Sequence, residues 1–440
     1  MPLQELIDQV RIAGVVGCGG AGFPAHVKAA SSVEFVIGNG AECEPLLHKD
    51  LELMTREPEA VVEGLKLLAK AAGSKKGIVG VKRKYEEKLS GFTASAERAG
   101  IAMHWLGDFY PTGDEYVLVF ETTKRLIPPH GIPPDIGVVV NNVETLRNLS
   151  FAAQGVPVTT KYLTVAGAVK SPATFRVPIG CSYMDVISAA GGTTTDHYAV
   201  FVGGILMGKL ETDMSLPVTK TCAGLVVLPA GHRLIQRKSL PKESMHRIGK
   251  SACDQCSYCT EFCPRYLLGY DVQPHKVMRS LSFTATGEEI WNQWADLCCS
   301  CGLCTLYACS EDLYPKEACD QAKIDLKSRG IKWTGEESVQ PHPMYDGRHV
   351  PLKQLISKLG VSDYDVPAHF KDVNINPRKV RIPLQQHIGV PAVPVVKVGQ
   401  KIKAGDVIGE IPDGKLGARL HASINGSVSA VNPEIVIEQR

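Results

Sequence analysis

The sequence predicts a multidomain α/β protein whose parts change character along the chain. Strand and helix signals alternate through the first 150 residues, two runs of closely spaced cysteines fill Cys253 to Cys309, and short strands take over from Val380. The alternation argues for a parallel, Rossmann-like sheet. A chain of 440 residues is also too long for one core. The expected divisions are an α/β domain over 1–155, a small β module over 156–240, a helical cysteine domain over 241–330, a linker over 331–375 and a second β module over 376–440.

Leu3, Leu6, Ile7 and Val10 recur at helical spacing and predict a helix over 3–13. It leads into Gly17-Cys18-Gly19-Gly20-Ala21-Gly22, where Gly17, Gly19 and Gly22 satisfy G-x-G-x-x-G. A helix precedes the motif where a dinucleotide fingerprint needs a strand, so the pattern alone is weak. Four glycines in six residues nevertheless let backbone N–H groups approach an anion; a plain tight turn is the alternative and would need fewer. Lys28 can add a charge-assisted contact. A strand over 33–37 then delivers Asn39, Glu42 and Glu44 just beyond its C-terminal end, where open α/β sheets collect ligand contacts. A helix over 56–72, a strand over 77–81, the turn Gly113-Asp114-Glu115 and a strand over 136–140 feeding Asn141 and Asn142 complete the domain.

The middle of the chain predicts strands over 161–169, 175–180, 201–204 and 225–229 with a helix over 184–190. Helices over 285–296 and 315–328 flank the second cysteine run, and Pro341 and Pro343 mark 330–350 as linker. Beyond Val380 the strand signals fall at 380–384, 395–398, 402, 407–411 and 426–431.

The cysteine runs read Cys253-x2-Cys256-x2-Cys259-x3-Cys263-Pro264 and Cys298-x2-Cys301-x2-Cys304-x4-Cys309. Three thiolates at this spacing hold three corners of an iron–sulfur cube, and in two-cluster proteins the fourth ligand comes from the other run. The assignment is therefore Cys253, Cys256, Cys259 and Cys309 for one [4Fe–4S] cluster, and Cys298, Cys301, Cys304 and Cys263 for the other. Zinc sites favour pairs of ligands over triples. Cys309 departs from the pattern, following four residues where three are usual and preceding Ser310 where Pro is usual. Cys299 competes with Cys298, but only Cys298 keeps the spacing to Cys301. Cys18, Cys43, Cys181, Cys222, Cys299 and Cys319 are expected to be buried thiols.

A formal net charge of +2 without a basic stripe argues against nucleic acid as a partner. No run of 18 apolar residues offers a membrane span. Glu5 and Asp8 spoil a secretory signal, and 14 cysteines without an export signal point to metal ligation in a reducing, cytoplasmic compartment.

Gly17 to Pro24 with Lys28, Asn39 to Pro45, Gly113-Asp114-Glu115 and Asn141 to Leu146 resemble, in order, the flavin-site motifs of the NADH-oxidising flavoprotein subunit of respiratory complex I. They resemble more closely its relatives, the C subunit of the Rnf complex and the cobalamin reductases of propanediol-utilisation microcompartments. The resemblance implies FMN held by Gly17, Gly19, Gly20, Gly22, Lys28, Asn39, Asn141 and Asn142, beside Glu42, with NADH stacked over it near Glu44 and Glu115. Ala41 stands where complex I has Asp, and Cys18 where it has Arg; Ala29, Ala30 and Ser31 replace an aromatic that flanks NADH. The middle β module resembles the family's β-grasp module of the soluble ligand-binding type. Residues 398–408 resemble the barrel-sandwich fold of biotinyl and lipoyl domains; Lys415 lies near their acylated lysine, but its flanks do not match a modification hairpin.

The implied activity is NADH-dependent electron transfer through FMN and two [4Fe–4S] clusters to a corrinoid, with no catalytic acid–base residue. Cobalamin or a corrinoid enzyme would be the acceptor, and a microcompartment shell protein or an adenosyltransferase a neighbour. No Asp-x-His-x-x-Gly pattern occurs, so a corrinoid would dock as a substrate. The alternatives are a peripheral electron-input subunit of an Rnf-type membrane complex, and a cluster-bearing docking protein of a microcompartment. The spacing generates a direct test. Cys298→Ser should lose one cluster's worth of iron and sulfide, and Cys299→Ser should lose none, by chemical iron and sulfide determination on anaerobically reconstituted protein.

Overall fold

The computed structural model describes residues 3–281, 292–336 and 338–439. Its N-terminal domain is built on strands β1 (Phe35–Asn39), β2 (Lys76–Lys82) and β3 (Ala102–Leu106), a two-residue strand β4 (Phe109–Tyr110) that leaves the sheet, and β5 (Val138–Asn142). The sheet is parallel, in the order β3-β2-β1-β5. The chain moves outward from β1 to β3 and returns to the far side of β1 for β5, which makes the β1/β5 boundary the switch point of the sheet. There Asn39 lies opposite Asn142 and Gly38 opposite Asn141.

Each face of the sheet is apolar because strand residues alternate sides. Val36, Val79 and Val139 pack with Leu65 and Leu146 of the helices Pro58–Ala71 and Val143–Ala152. Ile37, Val138 and Val140 pack on Leu118 and Val119 of the helix Glu115–Thr123. Gly64 lets the first two helices touch, since a Cβ there would fall 1.8 Å from the Leu146 carbonyl oxygen. The expected strand over 33–37 begins and ends two residues later, which seats Asn39 within β1. The expected helix over 56–72 is two helices, Lys49–Arg56 and Pro58–Ala71, because Pro58 is suited to a first helical turn and not to an interior. Pro133–Ile136 forms a 3₁₀ turn, so β5 starts later than its apolar run suggests.

The middle module is a mixed five-stranded sheet of Thr160–Gly167, Ala173–Pro178, Tyr198–Val202, Lys209–Glu211 and Gly224–Pro229, with the helix Tyr183–Ala189 packed on Leu163, Val165 and Phe175 through Val186 and Ile187. Short helices, Tyr258–Glu261, Pro264–Leu267 and Pro274–Ser280, and the longer Pro315–Arg329 surround the cysteines. The helix expected over 285–296 lies mainly outside the described residues; its end, Gln293–Ala295, is a 3₁₀ turn. The C-terminal module stacks a four-stranded and a three-stranded antiparallel sheet around Val380, Ile382, Ile408, Leu420 and Ile435. Its expected strand over 395–398 is absent: Val393–Pro394 pairs instead, and Val398-Gly399 turns, with Gly399 at φ +85°.

The stretch expected to be a linker is a packed strap. His342 N–H donates to the Leu267 carbonyl at 2.8 Å, His349 stacks on Phe109 at 3.8 Å, and Val350–Pro351 pairs with β4. The helix Leu352–Leu359 buries Leu352, Leu355, Ile356 and Leu359 beside Tyr110, Phe201 and Cys301. The prolines drew attention away from this i, i+3, i+4, i+7 pattern, which is that of a helix with one buried face. No helix among the described residues is long and apolar enough to cross a membrane. Leu355 is wholly buried, so Leu355→Ala should destabilise the protein by about 2–5 kcal/mol in urea denaturation.

Candidate functional site

The switch point gathers most of the residues that the sequence singled out. Lys28, on the short helix Ala25–Ala29, donates to the Val140 carbonyl at 2.8 Å and pairs with Glu115 at 3.5 Å. Asn39 Nδ2 donates to the Gly113 carbonyl at 2.9 Å, and its Oδ1 accepts from Ala41 N–H. Asn142 caps the helix Val143–Ala152 by accepting from Glu144 N–H at 3.0 Å, while its Nδ2 donates to Asp50 at 2.9 Å. Asn141 Nδ2 is buried and has no partner. A buried amide donor left unpaired at the mouth of a sheet is costly, so Asn141 suits a polar ligand placed there.

The four glycines divide their tasks. Gly20, at φ +62°, faces open space and needs its glycine for the backbone turn. At Gly22, at φ +71°, a Cβ would fall 2.7 Å from Thr221 and 2.9 Å from His387, so this corner of the loop is closed by the middle and C-terminal modules. Ile388 N–H donates to the Ala21 carbonyl at 2.9 Å.

Sequence reasoning passed over a buried ionic network behind the loop. Glu144 accepts from Lys161 Nζ and from Tyr162 N–H at 2.9 Å, and Lys49 lies between Glu144 and Asp50. Burial alone would raise the Glu144 pKa, but Lys161 and Lys49 hold it below the ordinary value. Glu42 accepts from Asp50 N–H at 3.1 Å, and burial together with the Asp50 charge pushes its pKa up to about 8. The only sequence signal was a Lys-Asp pair opening a helix and a Glu inside an apolar run.

Glu44 turns elsewhere. Its carboxylate accepts from Leu206 N–H at 3.1 Å and Met207 N–H at 2.9 Å, so it holds a loop of the middle module, and burial pushes its pKa up to about 7. The same loop reaches the cysteines: a Cβ on Gly302 would come within 3.0 Å of the Leu206 carbonyl oxygen. Beside it the wholly buried Tyr110 donates its hydroxyl to the Cys301 carbonyl at 2.6 Å.

The cysteines form two groups, each mixing the two runs. Cys259 faces Cys309, Cys253 and Cys256, and the four line one cavity. Cys263 faces Cys298, Cys304 faces Cys298 and Cys263, and Cys301 faces Cys263 and Cys304. Both runs also curl alike. Gln255 and Ser257 flank Cys256 at φ +65° and +66°, and Ser300 and Gly302 flank Cys301 at φ +56° and +82°. Alternating left-handed residues turn successive N–H groups inward into an anion-binding concavity, which is what a thiolate-bound cube requires. Among the described residues no three His, Cys, Asp or Glu side chains converge on a single ion; a cube takes one thiolate at each iron corner. The Cys301 group adjoins the α/β domain through Tyr110, whereas Cys256 of the other group is exposed. Cys43 and Cys299, expected to be buried, are only partly so.

Comparison with known proteins bears directly on these sites. Residues 10–150 match the Nuo51 FMN-binding domain, 162–209 the SLBB domain, 252–314 the 4Fe-4S dicluster domain and 370–440 the RnfC barrel sandwich hybrid domain. The chain is 38% identical over 434 residues to the cobalamin reductase PduS of Citrobacter freundii, covering 98% of this chain and 96% of that protein. It is 39% identical over 433 residues to the PduS of Salmonella typhimurium LT2, with the same coverage. The chain belongs to the PduS family. A component of the Na(+)-translocating ferredoxin:NAD(+) oxidoreductase complex of Acetobacterium woodii, the RnfC-type one, is 35% identical over 274 residues, spanning 61% of this chain and 59% of that component. An NAD+-reducing [NiFe]-hydrogenase chain in the H2-reduced state shares the fold at a TM-score of 0.50 and 22% identity, over 74% of this chain and 61% of that one. This PduS-family chain is thus a flavin and iron–sulfur oxidoreductase with FMN and two [4Fe–4S] clusters as cofactors.

Glu42 generates a signed prediction. Its folded-state pKa is raised, so the fold favours the protonated carboxyl and loses that contribution as the pH climbs from about 4.5 to about 8. Glu42→Gln removes the titration. The variant's urea midpoint should therefore gain on the parent's across that interval and run parallel to it above.

Proposed function

We propose that the chain is an NADH-dependent cobalamin reductase. The observation that carries this reading is the match to two cobalamin reductases over nearly the whole of both chains, the C-terminal module included. FMN takes an electron pair as hydride and releases single electrons, and the clusters carry them one at a time. The backbone of Gly17, Gly19 and Gly20 is placed for the flavin phosphate, with Gly22 closing the loop, while Asn39, Asn141 and Asn142 offer amides at the sheet's mouth. Lys28, tied to Glu115 and the end of β5, fixes the edge of that mouth. Glu115 keeps its side chain 39% exposed and is the carboxylate open to an incoming dinucleotide; Glu44, committed to the Leu206 and Met207 amides, orients the neighbouring loop.

Cys263, Cys298, Cys301 and Cys304 hold the proximal cluster, and Cys253, Cys256, Cys259 and Cys309 the distal one. Exposed Cys256 puts the distal cluster at the surface, where a corrinoid or a corrinoid-bearing enzyme can take electrons. On the same reading the protein works inside a microcompartment, next to an adenosyltransferase or a shell protein.

Anaerobically reconstituted protein should reduce cobalamin with NADH, followed by absorbance. Cys256→Ser should abolish that reduction while NADH-driven dye reduction at the flavin persists. Loaded protein that reduces dyes and never cobalamin would refute the acceptor.

A further inference from the structure

Arg265 follows Cys263-Pro264 and is buried, at 7% exposure. Its guanidinium stacks on Tyr116 at 3.5 Å, and Nη2 donates to Asp114 at 3.1 Å. Nε and Nη1 are buried and have no hydrogen-bond partner. The Arg265 side chain lines a cleft with Cys298 and Cys299, next to one proposed ligand and two residues beyond another. A buried guanidinium with unsatisfied donors is costly unless an anion takes them. Tyr116 fixes its plane, and Asp114 draws off one nitrogen while leaving the other edge free.

We propose that Arg265 is a tuning residue for the proximal cluster, presenting a fixed positive charge and N–H donors to the cluster's sulfur shell and raising its reduction potential. The inference rests on the cluster assignment under Proposed function. Reduction adds negative charge to the cube, so a nearby cation favours the reduced form, and hydrogen bonds to sulfur act in the same sense. Asp114 opposes it: this carboxylate partly neutralises the guanidinium and holds it in place. Asp114 also caps the helix Glu115–Thr123, accepting from the Tyr116 and Val117 amides. One residue therefore ties the flavin side of the molecule to the charge beside the first electron acceptor.

Full-length, anaerobically reconstituted protein is titrated electrochemically while EPR follows each cluster, with iron, sulfide and flavin counted in the same samples. The distal signal is identified by its change in Cys256→Ser. In Arg265→Met the proximal potential should fall and the distal one hold still. In Asp114→Asn the proximal potential should rise, because asparagine caps a helix as well as aspartate does while lacking its charge. Arg265→Lys should fall between parent and Arg265→Met, keeping the charge and losing the fork. If Arg265→Met does not retain iron, Asp114→Asn decides, since it leaves all the thiols in place. A full complement of iron with an unmoved proximal potential in these variants would overturn the inference alone. Parent protein without two cluster signals would overturn the cluster reading beneath it.

Discussion

Tyr110 sets the constraint around which the other parts are arranged. Electron transfer weakens steeply with the gap between carriers, so the flavin domain and the first cluster must be held in close register. Tyr110 does this from within the core, with its hydroxyl on the Cys301 carbonyl and its ring among Leu206, Val350 and Leu355. Four separate stretches of chain converge there: β4, the middle module's loop, the cysteine turn and the strap. The strap's pairing with β4 fixes the strand that carries Tyr110. The Arg265–Asp114 pair fixes a second point on the same boundary, so the two domains are held against both sliding and rotation.

The ionic network at the sheet's mouth answers a different need. Lys49, Lys161, Asp50 and Glu144 are all nearly inaccessible, and buried charges persist only when paired and hydrogen-bonded. They are so arranged here, with Asn142 joining the network to the helix cap and to β1. Such a network contributes less to stability than to holding the ends of β1 and β5 in one geometry, and a flat cofactor laid across those ends needs that rigidity.

The sequence was most legible where covalent spacing carries the message. The paired cysteine triples anticipated the mixing of runs that brings Cys309 to Cys253, Cys256 and Cys259, even though Cys309 breaks the usual count. The β–α alternation anticipated the parallel sheet and placed Asn39 and Asn142 at strand ends. Tertiary partnership was less legible. Nothing local in Glu44 shows that it serves a loop 160 residues further along, and nothing in Leu352 to Leu359 shows that its partner is Tyr110. Proline-rich flanks disguised that helix as linker, and a break at Pro58 was hidden because amphipathic periodicity continues across it. The division of labour among the glycines was equally hidden, since it depends on what each absent Cβ would strike.

The contact at Gly22 has a consequence for biogenesis. Thr221, His387 and Ile388 close one side of the glycine loop, and two of them belong to the module translated after everything else described above. While the ribosome is still making that module, the loop has a missing wall. Cofactor capture at the N-terminal end of the chain is therefore completed by residues made at the opposite end, and truncated or stalled chains would leave the yellow cofactor's cradle unfinished.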